Sequence, residues 1–203
     1  MYAFLGAGAT SYLTGLRWPE PGVWVEREDH AVRACTKDQL PWWLDDELWQ
    51  VELDGEVRSL GRALTASRAR LVHRVEEWTD AAAMELVLAC ATRVRDVAVT
   101  ALVAEGRDSE ASMLASVDGL REIEDAAGRI AGVHDGGSML AGLAADVVLY
   151  ARDARVASRA AGVAAYVAAF ALAGGDKAAA GYDGRFEAER RWQAEWLKER
   201  LRL

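Results

Sequence analysis

The sequence predicts an α+β protein in which an N-terminal antiparallel β-rich part, residues 1–78, packs on a C-terminal helical bundle, residues 79–203. Three observations carry this expectation. All three prolines and six of the eight tryptophans fall in the first 78 residues, whereas 32 alanines follow position 78 and 8 precede it. Apolar residues alternate in short runs before the break and recur every three or four positions after it. The break itself, Glu76-Glu77-Trp78-Thr79-Asp80, holds no Pro-, Gly- or Ser-rich linker, so 1–203 is expected to form a single cooperative domain.

In the first part the alternation places strands at 2–5, 23–26, 32–35, 48–53, 56–60 and 71–78. Leu53-Asp54-Gly55-Glu56 predicts a tight hairpin, because Asp-Gly supplies the positive φ angles that such a turn requires. Pro19 and Pro21 frame an extended turn at Glu20, and Pro41 introduces the aromatic and acidic run Trp42-Trp43-Leu44-Asp45-Asp46-Glu47-Leu48-Trp49.

In the second part Thr79 or Asp80 caps a helix to about 105, ended by Gly106. Shorter helices follow from 108 or 109 and over 119–130, then a loop at 133–138, a helix over 139–151 and another over about 155–173, stopped by Gly174-Gly175. The stretch 160–173 is apolar all round, with Ala160, Ala164, Ala168 and Ala157, Ala161, Ala165, Ala169 in adjacent rows that let neighbouring backbones come close. It is expected at the centre of the bundle. The last helix runs from about 183, with Phe186, Trp192, Trp196, Leu197 and Leu201 on one face and Glu187, Arg191, Glu195 and Lys198 on the other.

Composition sets bounds on function. With 203 residues, 52% hydrophobic and 28% charged, the chain is long enough to bury a core without disulfides or metal. Its longest apolar stretch has 14 residues, short of a membrane span, and its N-terminus lacks the basic region of a signal peptide, so a cytoplasmic location is expected. The net charge of −8 is evenly spread, with 9 basic and 13 acidic side chains in residues 1–78 against 15 and 19 in the remainder, and it disfavours nucleic acid as a partner.

Few motifs carry chemistry. Cys35 and Cys90 lack zinc-ligand spacing, and His30, His73 and His134 are scattered; no metal site and no cofactor is predicted. Both cysteines read as small buried hydrophobes, although a helix start at Thr36-Lys37-Asp38 would place Cys35 where a dipole lowers a thiol pKa. Gly6-Ala7-Gly8-Ala9-Thr10-Ser11 looks like half of a phosphate loop but lacks the rest of the fingerprint, and a flexible loop is the better reading. The glycine-rich stretch 132–142, with His134 and Asp135, could line a pocket. In the run 42–49 an exposed Trp beside carboxylates would suit a cationic ligand or a basic peptide; the plainer reading packs two of these tryptophans beneath the sheet and leaves Asp45, Asp46 and Glu47 solvated.

Gly15-Leu-Arg-Trp18-Pro19, Ala34-Cys35, the run 38–49, Val51-Glu-Leu-Asp-Gly-Glu-Val57, the run 70–78 and Glu189-Arg190 with Gln193 and Trp196-Leu197 resemble, over nearly the full length, a group of uncharacterised actinobacterial proteins of about this size. The first part also looks distantly like an uncharacterised phage-associated domain. Both are read as carrying a histidine before the Ala-Cys pair, where this chain has Arg33, a departure that weakens a catalytic role for the segment. The resemblance implies a shared fold and no activity.

With no catalytic constellation, the first functional expectation is a non-enzymatic interaction or accessory protein, with a protein partner or a second copy of itself and without nucleic acid or membrane. The alternative is a small enzyme or binding protein for a nucleotide-like molecule, with Arg17, Trp18, Arg33, Cys35, Asp45 and Trp49 as candidate lining between the structural layers. A phage-defence module ranks third.

Overall fold

The computed structural model describes residues 1–11, 13–27, 32–132 and 138–203. His30 and the loop 133–137 with His134 and Asp135 therefore lie outside the described residues. The chain is α+β, an antiparallel sheet followed by helices, and it divides into two compact units.

The first unit, Met1–Ala82 with Gln193–Leu203, holds the sheet: β1 (Tyr2–Leu5), β2 (Val25–Glu26), β3 (Val32–Ala34), β4 (Glu47–Leu60) and β5 (Ala63–Arg74). The order is β1-β4-β5-β2, with β3 also pairing with β5. Beyond β3, Tyr2 and Cys35 form an isolated antiparallel bridge, so the pairings β1–β4–β5–β3 close into a ring. Its interior is filled by alternate strand residues, Ala3 and Leu5, Val32 and Ala34, Val51, Ala69 and Leu71, with Trp18 inserted from the connecting loop. The many alanines fit so narrow an interior, where larger side chains would meet across it.

Two strand predictions are corrected. Asp54-Gly55 is not a turn. β4 runs through it as one 14-residue strand, and the register with β5 slips by one residue between Asp54 and Val57, which is a β-bulge. Gly55, at φ 76°, supplies the left-handed residue that such a bulge needs, the same conformation that a tight turn would have used. The hairpin instead reverses at Gly61-Arg62. β5 accordingly starts at Ala63, far ahead of the expected 71, because Ala63, Ala66 and Ala69 are too small to register as an apolar run yet are buried. The short element after Thr36 is a 3-10 helix, Lys37–Trp42, and Asp38 in its first turn pairs with Lys198.

The second unit, Ala83–Trp192, is helical. It contains most of α1 (Asp80–Ala104), then α2 (Asp108–Ala115), α3 (Leu120–Ala131), α4 (Met139–Arg152), α5 (Ala157–Leu172) and the first half of α6 (Tyr182–Leu201). α4 packs against both α3 and α5. The alanines of α5 from Ala160 to Ala171 are buried, as their two rows predict. α6 lies on α5 through the ring pairs Tyr166–Phe186 and Phe170–Tyr182 at 5.8 and 6.3 Å. Glu189, 3% exposed, receives a two-pronged ion pair from Arg93 of α1, whose guanidinium also stacks on Trp192 at 3.9 Å. The expected face of α6 needs amendment: Trp192 and Trp196 are only half-buried, and Glu189, Arg190 and Gln193 are buried in their place. Among the described residues no helix is long and apolar enough to cross a membrane.

Candidate functional site

The six residues predicted as a ligand lining all belong to the sheet unit, but they divide between two concavities. Arg33, Cys35 and Asp45 line a cavity of about 280 Å³ beside the Tyr2–Cys35 bridge. Arg17, Trp18 and Trp49 line a more open groove of about 950 Å³.

The cavity follows from the way the ring closes. Among the described residues β1 meets the segment after β3 through the bridge at Tyr2 and Cys35, and the space beside it is walled by Tyr2–Leu5 on one side and by residues 33–35 on the other. Trp42, Trp43 and Leu44 cover it, with Ser11, Leu13 and Ala63 at its margins, so the surface is mostly apolar. The cover is anchored at several points. Trp43 Nε1 donates to the Arg62 carbonyl at 3.0 Å, and the Arg62 guanidinium lies 3.5 Å from the centre of the Trp42 ring. Trp78 Nε1 donates to the Asp45 carbonyl at 2.8 Å while its ring meets Phe4 edge-on at 5.3 Å. The Trp42 face that would have received a foreign cation thus already carries the chain's own Arg62.

The charged groups of the cavity differ in what they can do. Cys35 is 2% exposed, and burial pushes its thiol up to about 12, so at neutral pH it is a protonated wall group and no nucleophile. The 3-10 helix does begin at Lys37, but desolvation outweighs any help from its dipole. Cys90, in α1, is likewise fully buried with its thiol pushed up. Arg33 alternates outward on β3, is exposed, and has no carboxylate partner among the described residues.

The groove is built by Gly8 and Ala9, by Arg17–Pro21, by Glu47 and Trp49 of β4, and by Leu71–Arg74 of β5 with Glu76. Glu47 was expected to be solvated; its side chain is 13% exposed. One carboxylate oxygen accepts the Gly8 amide at 3.1 Å, and the other accepts the Ala9 amide at 3.3 Å and the Trp49 indole at 2.9 Å. Asp46 takes the Ala7 amide at 3.3 Å. Gly8 and Ala9 have φ of 71° and 54°, and successive left-handed residues turn their amides to one side as an anion nest. The segment that looks like half of a phosphate loop does cradle an anion, and the anion is the chain's own Glu47. It is tied down rather than flexible, by the bridges Gly6–Thr10 and Thr10–Arg17.

Trp18 is held by its amide donating to the Ala9 carbonyl at 3.0 Å. Its ring is 5% exposed, and its buried Nε1 has no hydrogen-bond partner among the described residues. An orphaned donor of this kind costs about 1–3 kcal/mol.

Phe4, Trp42, Trp43 and Ala63 of the cavity, and Glu47, His73 and Arg74 of the groove, lay outside the predicted lining. The acidic run pointed at Glu47 only by its neighbourhood, and no local pattern pairs it with a loop almost forty residues away. Among the described residues no group of three or more His, Cys, Asp or Glu side chains could hold a metal ion. No family model, no curated protein and no solved structure matches the chain.

Proposed function

We propose that the sheet unit is a non-catalytic binding module that takes a small apolar acid in the cavity beside the Tyr2–Cys35 bridge. The observation that carries this reading is the pairing of an apolar cavity with a guanidinium on its wall, Arg33, that has no carboxylate partner among the described residues. The ligand's hydrocarbon or aromatic body lies among Phe4, Leu13, Trp42 and Trp43, and its carboxylate meets Arg33. A few placed polar groups in a mostly apolar pocket are the general form of a small-molecule site. At about 280 Å³ the cavity is just under the range of roughly 300–1,000 Å³ that drug-sized ligands occupy, which favours an occupant smaller than a nucleotide. The protonated Cys35 thiol supports binding over covalent catalysis.

The test is a thermal-shift and tryptophan-fluorescence titration with benzoate, phenylacetate and octanoate, each beside its neutral alcohol. Saturation at a hundredfold excess over Kd stabilises by about 2.7 kcal/mol, an easily read shift. The acids should outbind the alcohols, and Arg33→Gln should erase that preference. A flat response to all of the acids, or an acid preference that survives Arg33→Gln, rejects the reading.

A further inference from the structure

β4 is much longer than the strand that covers its outer side. Among the described residues β1 pairs with β4 over 47–50, and the last backbone bond on that side runs from the Val51 amide to the Met1 carbonyl at 2.9 Å. From 52 to 60 the strand has β5 on one side and no other strand among the described residues on the other. Every residue from 54 to 60 is exposed, whichever face of the strand it stands on. Counted back from the two-residue turn Gly61-Arg62, Leu60 and Arg58 direct their amides and carbonyls toward Ala63 and Thr65, so Val57 and Ser59 direct theirs away from β5. The bulge at Gly55 and the turn at Gly61 bound this open stretch. An open edge is a template for another strand, and proteins ordinarily blunt it with charge or proline.

The charges on this edge match their own copy instead of repelling it. Glu56 and Arg58 stand on one face of β4 on either side of Val57, joined by a two-pronged ion pair at 2.7 Å. When two such strands run antiparallel about Val57, each Glu56 comes to lie directly opposite the other copy's Arg58. We propose that this edge of β4 pairs with the same edge of a second copy of the chain, antiparallel and centred on Val57, to form a two-fold dimer. Each Val57 exchanges both backbone bonds with the partner's Val57, and two Glu56 and two Arg58 form a square of alternating charge on one face of the joined sheet. A strand of other sequence could use the open backbone bonds, but the symmetry of Glu56 and Arg58 about Val57 favours the chain itself. One pair of short strand segments is a small interface, so association is weak and grows with concentration. None of these residues lines the cavity, and the dimer stands or falls apart from acid binding.

Sedimentation velocity of the full chain tests this from about 5 μM to about 0.5 mM, the range in which interfaces of this size associate. The wild type should pass from monomer to dimer as concentration rises. Glu56→Arg and Arg58→Glu, both changes at exposed side chains, each set like charges opposite one another and should raise the dimer Kd at least about tenfold. An equimolar mixture of these two variants restores opposite charges at both positions and should dimerise where neither does alone, which also shows that both variants are folded. A wild type that stays monomeric over the whole range, a dimer that persists in Arg58→Glu, or a mixture that fails to associate overturns the proposal.

Discussion

Tyr2 and Cys35 exchange both of their backbone hydrogen bonds, Tyr2 N to the Cys35 carbonyl at 3.0 Å and Cys35 N to the Tyr2 carbonyl at 2.8 Å. That single pair joins β1 to the segment after β3 and turns an open sheet into a ring. It also buries the Cys35 side chain, which is why a residue beside the candidate cavity is chemically quiet.

The buried thiol makes stability depend on alkaline pH. Its folded pKa of about 12 stands above the ordinary 9.0, so the unfolded chain loses this proton first. The contribution is complete below pH 9 and disappears as pH rises from 9 to about 12, amounting to up to about 4 kcal/mol at ~1.4 kcal/mol per pH unit. Urea denaturation of the wild type and Cys35→Ala at pH 8, 10 and 11.5 measures it. The stability difference between the two should shift in favour of Cys35→Ala as pH rises. A difference that stays constant would show that the thiol ionises equally easily in the folded chain.

Replacing Glu47 with Ala removes the anion around which the Gly8–Ala9 nest is wrapped. Three donors lose their acceptor at once. Hydrogen bonds to charged groups contribute about 1.5–3 kcal/mol each, though a shared acceptor makes them far from additive, and the amides regain water once the carboxylate is gone. The expected loss is about 2 kcal/mol by urea unfolding, with Glu47→Gln falling between Ala and wild type because its amide oxygen still accepts. A loss below about 0.5 kcal/mol would mean that the nest contributes little to the fold.

Gly55 tests the bulge. A Cβ at this position would stand 2.7 Å from Ser67 Oγ, at a φ of 76° that L-residues resist. Gly55→Ala is expected to cost about 1–2 kcal/mol, and Gly55→Asn less, since Asn tolerates left-handed backbone. Adding Ser67→Ala to Gly55→Ala relieves the contact but not the backbone strain, so the double variant should recover only part of the loss. Full recovery would place the whole cost in the Ser67 contact.

The limits of the sequence are physical and local. β1, the six helices and the capped start of α1 were legible because each rests on its own periodicity and end signals. The first half of β5 was not, because Ala63, Ala66 and Ala69 are buried by residues far away in the chain, and nothing nearby in sequence announces those partners. Asp54-Gly55 misled because one backbone conformation serves both a turn and a bulge, and only the strand pairing decides between them. Proximity along the chain grouped Arg17 and Trp18 with Arg33, Cys35 and Asp45, whereas the closing of the ring sends the two sets to different concavities.

We infer that the chain unfolds as one cooperative unit. The two compact units are divided at Ala82/Ala83 and again at Trp192/Gln193, and both divisions fall inside continuous helices, α1 and α6. A helix gains its stability cooperatively along its length, so melting the first unit alone would cut α6 near its middle and strip α1 of its first turn, where the Thr79 hydroxyl accepts the Ala82 amide. Neither division coincides with a flexible linker of the kind that separates independent domains. Tryptophan fluorescence reports mainly on the sheet part, where six of the eight tryptophans lie, and far-ultraviolet circular dichroism mainly on the helices. In urea the two signals should give one midpoint, within error, and a single slope. Midpoints separated by more than about 0.5 M, at a slope of roughly 1–3 kcal/mol per molar for small proteins, would correspond to distinct stabilities and would establish two folding units instead of one.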